Sequence, residues 1–245
     1  MLYDDYNREE RALCSHLFRL LHENLVSDCH NSPLSRVLQF LPIQDKQFDY
    51  DGVKIYAEVA LIRDAYFVRK PNVHPFMDKL VDRIASQEGI TEYRRYTQLP
   101  SPLNDPNKTH PKQIQYKAKK LSVDLTKAEL TIYGCLQGMF NAKPDLAITI
   151  DNKLITYEAK FTEPFDTRQL NRTQKIADVW ANELFEDLGF HEKPQVIIST
   201  IGAKALKPDL TWESVFEIQK DCYPPNDRSS VTFESAVKLL QSFEF

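Results

Sequence analysis

The stretch KPDLAITIDNKLITYEAKF, residues 143–161, carries the clearest structural signal in the chain. Two apolar runs flank Asp151-Asn152, which suits a two-residue loop because Asn tolerates a left-handed backbone. The pattern predicts a hairpin with strands over 145–150 and 153–160. Because strand side chains alternate between faces, the hairpin has an apolar face and a polar face. The apolar face carries Leu146, Ile148, Ile150, Ile155, Tyr157 and Ala159. The polar face carries Asp145, Ala147, Thr149, Leu154, Thr156, Glu158 and Lys160.

Two registers of this hairpin are open, and both bring charged residues together. If Ile150 pairs with Lys153, Asp145 lies opposite Glu158; a loop placed one residue later puts Asp145 opposite Lys160. Facing Cβ atoms lie about 5 Å apart, and two carboxylates at that distance repel unless a proton or a cation lies between them. Mg²⁺, or Mn²⁺ in its place, is a hard cation that relieves this repulsion. Lys160 is then placed to orient an attacking water or to stabilise charge on a phosphoryl group.

Pro144-Asp145 followed by Glu158-Ala159-Lys160 resembles the PD-(D/E)xK motif of the restriction-endonuclease-like nucleases, and the hairpin resembles the active-site strands of archaeal Holliday-junction resolvases. The resemblance implies an α/β fold with a restriction-endonuclease-like core, in which helices flank a mixed central sheet. It also implies a metal-dependent endonuclease that hydrolyses DNA phosphodiester bonds. Asp145 and Glu158 would be its Mg²⁺ ligands, and Lys160 a further catalytic residue.

The resemblance extends loosely to an N-terminal helix. Residues 8–26 are predicted to form an amphipathic helix with Leu13, Leu17, Leu20 and Leu21 on one face. In the resembled family the first helix often adds an acidic residue to the metal site, and Glu10, which points along the apolar face, is the candidate. Glu129 is the alternative. The family pattern says little about residues 30–125, which we interpret as a largely helical insertion for substrate recognition within a single domain, 1–245.

A helix predicted over 166–188 follows the hairpin, with Asp166 as its cap and Leu170, Ala177, Trp180, Leu184 and Leu188 facing inward. Its polar residues Arg168, Gln169, Arg172 and Lys175 are candidates for binding nucleic acid, because cationic side chains there can contact phosphates. A solvated helix face explains the same residues equally well. Gln169 also fits a capping box with Asp166.

The sequence contains a second copy of KPDL, at residues 207–210. No Glu-x-Lys follows it on a strand, and Thr211 opens a predicted helix instead. Strand context therefore favours Asp145 over Asp209 as the site residue. Two alternatives to the nuclease prediction stay open. Asp145, Glu158 and Lys160 can form a cross-strand salt bridge on a solvated sheet face, or the chain can be a nucleic-acid-binding or assembly subunit with the nuclease fold and little cleavage.

The remaining segments predict further helices and one more strand. Residues 74–88 read as a helix, and Thr126 with Glu129 forms a capping box for a helix to about Phe140, although a strand over 129–136 is an alternative. Residues 53–68 fit either a helix or a strand. Residues 195–200 suit a buried strand. We also expect residues 30–52 to be mostly loop and residues 99–112 to form an irregular loop. Two C-terminal helices are predicted, from about Thr211 and from about Thr232.

Composition indicates a globular protein: 42% of residues are hydrophobic and 27% charged. The net charge of -4 argues against a generic basic DNA-binding protein but not against a nuclease. The four cysteines have no CxxC pair, which favours free thiols in a reducing cytoplasm. No apolar run is long enough for a membrane span. We expect a cytoplasmic protein whose partner is nucleic acid, most simply DNA, with a homodimer or a partner subunit as further possibilities.

One more surface is a candidate for binding nucleic acid. Basic and aromatic residues are interleaved between positions 93 and 120, a composition that suits single strands. A solvated charge run is the alternative interpretation. The residues are Arg94, Arg95, Lys112, Lys117, Lys119 and Lys120, with Tyr93, Tyr96 and Tyr116.

Overall fold

A computed structural model describes residues 10–23, 32–70, 72–161, 163–222 and 234. The chain groups into two compact units. Unit 1 comprises residues 1–59, 144–174 and 194–245, and unit 2 comprises 60–143 and 175–193. Among the described residues, no helix has both the length and the apolar character needed to cross a bilayer.

The fold is α/β. Unit 1 contains all five strands, which are β1 (Lys54–Ala57), β2 (Leu146–Ile150), β3 (Lys153–Ala159), β4 (Gln195–Gly202) and β5 (Leu210–Thr211). Its helices are α1 (Glu10–Glu23), α2 (Pro33–Leu38), the first eight residues of α7 (Thr167–Glu183) and α8 (Trp212–Cys222). Unit 2 contains α3 (Leu61–Val68), α4 (His74–Gln87), α5 (Ile114–Lys120), α6 (Lys127–Asn141) and the rest of α7.

The strands form one mixed, open sheet in the order β1-β2-β3-β4-β5. The pairs β1–β2 and β2–β3 are antiparallel, and the pairs β3–β4 and β4–β5 are parallel. Ile150 pairs with Lys153 and Leu146 with Tyr157. The first of the two predicted registers is therefore confirmed, and the loop is Asp151-Asn152. Asp151 takes the left-handed conformation there, with φ of 54°.

The predicted apolar face of the hairpin lies in the core of unit 1. Leu146, Ile148, Ile155 and Tyr157 are at most 1% exposed, and they share one core cluster with helices α1, α2 and α8. The polar face is also buried: Thr156 is 0% and Glu158 is 6% exposed. The alternative prediction placed a salt bridge on a solvated sheet face. The solvated face is wrong, since Thr156 and Glu158 on this face are shielded from water.

Unit 2 has its own core, built around helices α4 and α6. Leu80, Ile132, Tyr133 and Leu136 are each 0% exposed. Helix α6 begins as the sequence predicts, because Thr126 Oγ1 accepts from the backbone N–H of Glu129 at 3.2 Å while the Glu129 carboxylate accepts from the N–H of Thr126 at 2.9 Å. The alternative of a strand over 129–136 is wrong.

Several boundaries differ from the sequence predictions. The described part of residues 30–52 is mostly loop, as predicted, but it includes α2, where the Ser32 Oγ accepts from Ser35 N at 3.2 Å and proline occupies the first helical position. The ambiguous segment 53–68 contains both a strand, β1, and a helix, α3. Helix α7 ends at Glu183 rather than at Leu188. The predicted helix from about Thr232 lies, apart from residue 234, outside the described residues.

The described cysteines are free thiols, as expected. Cys14 is buried, and Cys135 and Cys222 are partly buried. Cys29 lies outside the described residues. Burial raises the pKa of the Cys135 thiol, and the charge of Glu88 adds to that shift. Cys135 is therefore protonated near neutral pH and is a poor nucleophile.

Candidate active site

The candidate site lies in unit 1, at the end of the sheet where β2 begins and β3 ends. Asp145 immediately precedes β2, Glu158 is the penultimate residue of β3, and Lys160 follows β3 directly. Extending the β2–β3 register by one pair places Asp145 opposite Glu158. The antiparallel register thus brings Asp145, Glu158 and Lys160, the three residues selected from the sequence, to the same end of the sheet.

Glu158 is the centre of this group. Its Oε1 accepts a hydrogen bond from Gln169 Nε2, and its Oε2 accepts from Thr173 Oγ1 at 3.2 Å. Both donors lie on the first half of α7, one helical turn apart, so that they face the same side. The carboxylate is held by two neutral donors from one helix and is 6% exposed.

Lys160 supplies the cation. Its Nζ lies 3.5 Å from Oε1 of Glu158, and the residue is 8% exposed. Its backbone is fixed on both sides: its N–H donates to Ile201 O at 2.8 Å, and its carbonyl accepts from Trp212 Nε1 at 2.9 Å. The amine therefore projects from a rigid backbone beside the Glu158 carboxylate.

Asp145 is partly buried, and its carboxylate reaches the neighbouring strand. Oδ2 accepts from the backbone N–H of Ala159 at 2.8 Å. The Ala159 amide directly follows Glu158, which places the Asp145 carboxylate against the β3 backbone next to that residue. The Asp145 carbonyl also accepts from Glu58 N at 3.4 Å, at the end of β1.

The second KPDL copy is built in a similar way but has different neighbours. Asp209 precedes β5, and its Oδ2 accepts from the N–H and Oγ1 of Thr200, each at 2.9 Å, and from Ser199 Oγ at 3.2 Å. Each KPDL aspartate thus binds a backbone amide of the adjacent strand. The helix predicted after this copy exists, since Thr211 Oγ1 accepts from Ser214 N at 3.0 Å at the start of α8.

The predicted nucleic-acid-binding residues of α7 have different environments. Gln169 contacts Glu158 rather than capping its own helix, whereas Asp166 accepts from Arg168 N at 2.8 Å. The side chains of Arg168 and Arg172 are exposed and form no ion pair with the described residues. Lys175 belongs to unit 2, where its Nζ lies 2.5 Å from Oε1 of Glu88.

The two candidates for a helical carboxylate also differ. Helix α1 begins at Glu10, but the Glu10 side chain lies outside the described part of the chain. Glu129 belongs to unit 2 and has a structural role. Its Oε1 accepts from Arg94 Nε at 2.6 Å and its Oε2 from Arg94 Nη2 at 2.7 Å, and these bonds lower the pKa of Glu129 to about 2.

Four members of the predicted basic and aromatic surface are engaged in contacts within the protein or are buried. Arg94 is paired with Glu129, and Arg95 with Asp82 at 3.0 Å. Tyr96 is fully buried, and Tyr93 donates to Asp82 at 2.9 Å. Arg94, Arg95 and Tyr93 therefore have partners within unit 2, and Tyr96 lies in its core. The remaining members of the predicted surface, from Lys112 to Lys120, lie on and beside α5.

Sequence reasoning did not select Thr173 or Trp212. Thr173 is 5% exposed and contacts Glu158. It lies four residues after Gln169, so helical spacing alone indicates that both side chains lie on the same side of α7. Trp212 is 0% exposed and binds the Lys160 carbonyl, and nothing local in the sequence links these two residues.

A cavity of about 570 Å³ opens beside the site within unit 1. Thr200, the parallel ladder partner of Glu158, forms part of its wall, so the cavity lies on the same sheet face one strand away. Asn171 and Gln174 from α7 and Phe165 from the preceding loop also line it. The cavity offers both amide and aromatic groups to a molecule next to Glu158.

The two carboxylates suit a hard divalent cation. Mg²⁺ keeps several of its waters and takes one or two protein carboxylates, which matches Asp145 and Glu158 as a pair. Groups of three or more His, Cys, Asp or Glu side chains that could enclose a metal do not occur within the described residues.

Comparison with known proteins finds no relative. No family model matches the chain. No curated protein and no solved structure gives a significant match either.

Proposed function

We propose that this protein is a metal-dependent endonuclease of the PD-(D/E)xK type, with a restriction-endonuclease-like core, that hydrolyses phosphodiester bonds in DNA. The observation that carries the proposal is the β2–β3 register, which sets Asp145 opposite Glu158 while Lys160 Nζ lies 3.5 Å from the Glu158 carboxylate. Two carboxylates and one amine at a single sheet end are the groups that metal-assisted phosphodiester hydrolysis uses.

Asp145 and Glu158 would hold the cation, Mg²⁺ or Mn²⁺ in its place. When bound, such a cation polarises the phosphoryl oxygen and lowers the pKa of a coordinated water. Glu10 would join the site if its side chain reaches it from α1. The remaining contributions come from the chain's own residues.

Lys160 holds positive charge where negative charge develops on the phosphoryl group, and its amine can orient the attacking water by hydrogen bonding. Gln169 and Thr173 position Glu158 by occupying one lone pair on each carboxylate oxygen. Arg168 and Arg172, exposed at the start of the same helix, are suited to neighbouring phosphates.

The burial of the Glu158–Lys160 pair supports a functional interpretation. A buried ion pair pays a desolvation penalty of several kcal/mol per ion, and replacing it with apolar residues is often neutral or stabilising. A pair at 6% and 8% exposure is therefore a weak device for stability alone. A catalytic role for the shielded carboxylate and amine would explain why both charges are buried here.

A second candidate function is a nucleic-acid-binding or assembly subunit that keeps the nuclease fold but cleaves little. One observation favours it: the Asp145 carboxylate accepts from the Ala159 amide, and the Glu158 carboxylate accepts from Gln169 and Thr173. Carboxylates that accept hydrogen bonds in this way can stabilise the end of the sheet without binding a metal. The two candidates differ in whether a divalent cation binds.

The test is cleavage by the purified protein of a panel comprising plasmid, linear duplex, branched DNA, single strands and RNA. It is run with Mg²⁺, with Mn²⁺ and with EDTA. Asp145→Asn is compared with Asp209→Asn, because both residues follow Lys-Pro and accept a backbone N–H from the adjacent strand. We expect metal-dependent cleavage that Asp145→Asn abolishes and Asp209→Asn retains.

Calorimetry with Mn²⁺ separates the two candidates when no substrate is cut. Mn²⁺ binding that is lost in Asp145→Asn but kept in Asp209→Asn supports the metal site and directs the search to other substrates. Absence of both cleavage and Mn²⁺ binding would refute the nuclease proposal and leave the subunit as the better candidate. Equal loss in both variants would indicate a structural effect.

A further inference from the structure

Unit 2 contains a strongly basic segment in a chain that is acidic overall. Residues 108–127 include six lysines and one acidic residue, Asp124, whereas the whole chain has a net charge of -4. The segment runs through a 3-10 turn, Pro111–Gln113, and helix α5, and it ends at the start of α6. The six are Lys108, Lys112, Lys117, Lys119, Lys120 and Lys127.

Most of these lysines have no carboxylate partner among the described residues. Lys108 pairs with Asp105 at 3.2 Å, and Lys117 Nζ donates to the Lys108 carbonyl. The other four, Lys112, Lys119, Lys120 and Lys127, form no ion pair with the part of the chain that the structure describes. The segment therefore presents several cations that are not neutralised by neighbouring side chains.

An exposed aromatic side chain lies among these cations. Tyr116 is 68% exposed, and Lys119 and Lys120 follow it by three and four residues, so that all three lie on one side of α5. The apolar side of the helix is already used, since Ile114 is 0% and Ala118 2% exposed. The lysine surface is defined here as Lys112, Tyr116, Lys119, Lys120 and Lys127.

The half-buried His110 contacts this surface, since its Nδ1 accepts from the backbone N–H of Lys112 at 3.2 Å. Burial lowers the pKa of His110, and the charges of Lys112 and Lys70 lower it further. His110 is therefore neutral near pH 7 and adds no charge to the surface. A positive surface on an acidic protein attracts polyanions by local rather than by net charge.

We propose that the lysine surface binds a nucleic-acid strand, with phosphates held by Lys112, Lys119, Lys120 and Lys127 and an unpaired base stacked on Tyr116. Lysines that track a backbone beside an exposed aromatic ring are the combination that binds single strands without sequence preference. An anionic membrane fits less well, because a membrane-surface helix inserts an apolar face, and the apolar face of α5 is buried within unit 2.

This binding site goes beyond the proposed function, because it requires no cleavage. It is tested by fluorescence anisotropy of the full chain with a labelled oligonucleotide, in EDTA, across a series of salt concentrations. The triple variant Lys112→Gln/Lys119→Gln/Lys120→Gln is compared with Lys54→Gln/Lys79→Gln/Lys204→Gln, which removes three other exposed lysines and changes the net charge equally.

We expect the lysine-surface triple variant to weaken binding and to reduce the slope of log K against log salt by about 2 for a single strand. The control triple variant should retain most of the affinity and slope. Tyr116→Leu should weaken single-strand binding about fivefold or more, because stacking is lost, while Tyr116→Phe should bind normally.

Three results would overturn the proposal. One is absence of oligonucleotide binding by the unmodified chain in EDTA at low salt. Another is an equal loss of affinity in the two triple variants, which would show that binding depends on net charge and not on the lysine surface. The third concerns the lysine-surface triple variant. If it binds the oligonucleotide as the unmodified chain does but no longer binds vesicles of phosphatidylserine and phosphatidylcholine, the surface is assigned to a membrane. Thermal melts of each variant verify that the fold is intact.

Discussion

Lys160 Nζ lies 3.5 Å from Oε1 of Glu158, two residues earlier in the chain, and the two residues are 8% and 6% exposed. The ion pair therefore runs along the end of one strand and is shielded from water. Its desolvation is partly offset by the bonds from Gln169 and Thr173 to the carboxylate. Stability and activity are thus expected to respond differently when the pair is changed.

Lys160→Met is expected to destabilise the protein by about 3 kcal/mol, because it leaves a carboxylate buried without its cation. The double variant Glu158→Gln/Lys160→Met should recover most of that loss, since neither charge then remains. Urea unfolding followed by circular dichroism measures both free energies. A double variant as unstable as Lys160→Met would contradict the prediction, and cleavage should be absent in both.

Gln169→Ala is expected to lower Mn²⁺ affinity by about 10- to 100-fold, because residues that orient a metal-binding carboxylate contribute by that order. Gln174→Ala is the matched control: it removes an exposed amide from the same helix that has no contact with Glu158. Calorimetric titration with Mn²⁺ gives both affinities. Equal affinities for the two variants would show that Gln169 does not position Glu158.

The titration of Glu129 should make the free energy of unfolding depend on pH in the acid range. Hydrogen bonds from Arg94 lower its pKa from 4.5 to about 2 in the folded protein. Because the folded-state pKa is below the unfolded one, the unfolded state binds more protons between these values. Stability is then full above about pH 5 and falls as the pH drops toward 2, by about 3 kcal/mol in total from this residue.

The measurement is urea unfolding at several pH values between 3 and 6 for the unmodified chain and for Glu129→Gln. The variant should be less stable at pH 6 and should show a shallower decline toward pH 3, since it lacks the titrating group. Parallel declines in the two proteins would indicate that other carboxylates, and not Glu129, set the acid sensitivity.

Asp209→Ala is expected to destabilise unit 1 by about 2 kcal/mol or more, because Ser199 Oγ and the amide and hydroxyl of Thr200 lose their acceptor. Metal binding should be unaffected, since Asp209 lies beside β5 rather than opposite Glu158. Thermal unfolding and Mn²⁺ titration of the same sample examine both effects. Loss of Mn²⁺ binding at unchanged stability would assign Asp209 to the site instead of Asp145.

Short-range features of this chain were predictable because each depends on local geometry. The alternation from Asp145 to Lys160 assigned every residue of the hairpin to a face, and the capping box of Thr126 and Glu129 located the start of α6. Spacing also put Leu13, Leu17 and Leu20 on the buried side of α1. In each case the deciding interaction spans a few residues, so that sequence order and spatial proximity coincide.

Other features depended on residues that are distant in the sequence. Arg94 is an exposed cation by its local context, yet it is bound by Glu129, thirty-five residues later. Strand β1 is ambiguous on its own, and its pairing with β2 across nearly a hundred residues makes it a strand. Propensity is weak over four residues, so the ladder decides the conformation.

The hairpin, its two faces and the grouping of Asp145, Glu158 and Lys160 on one of them follow from the residue pattern alone, because strand alternation and a two-residue loop leave few alternatives. The burial of this polar face, and the bonds from Gln169 and Thr173 to Glu158, depend on how the helices pack against the sheet. The tertiary structure also separated Arg94 and Arg95, which pair with Glu129 and Asp82, from Lys112, Lys119 and Lys120, which form no ion pair with the described residues. Burial and ion pairing depend on which distant elements meet, and no local pattern encodes that.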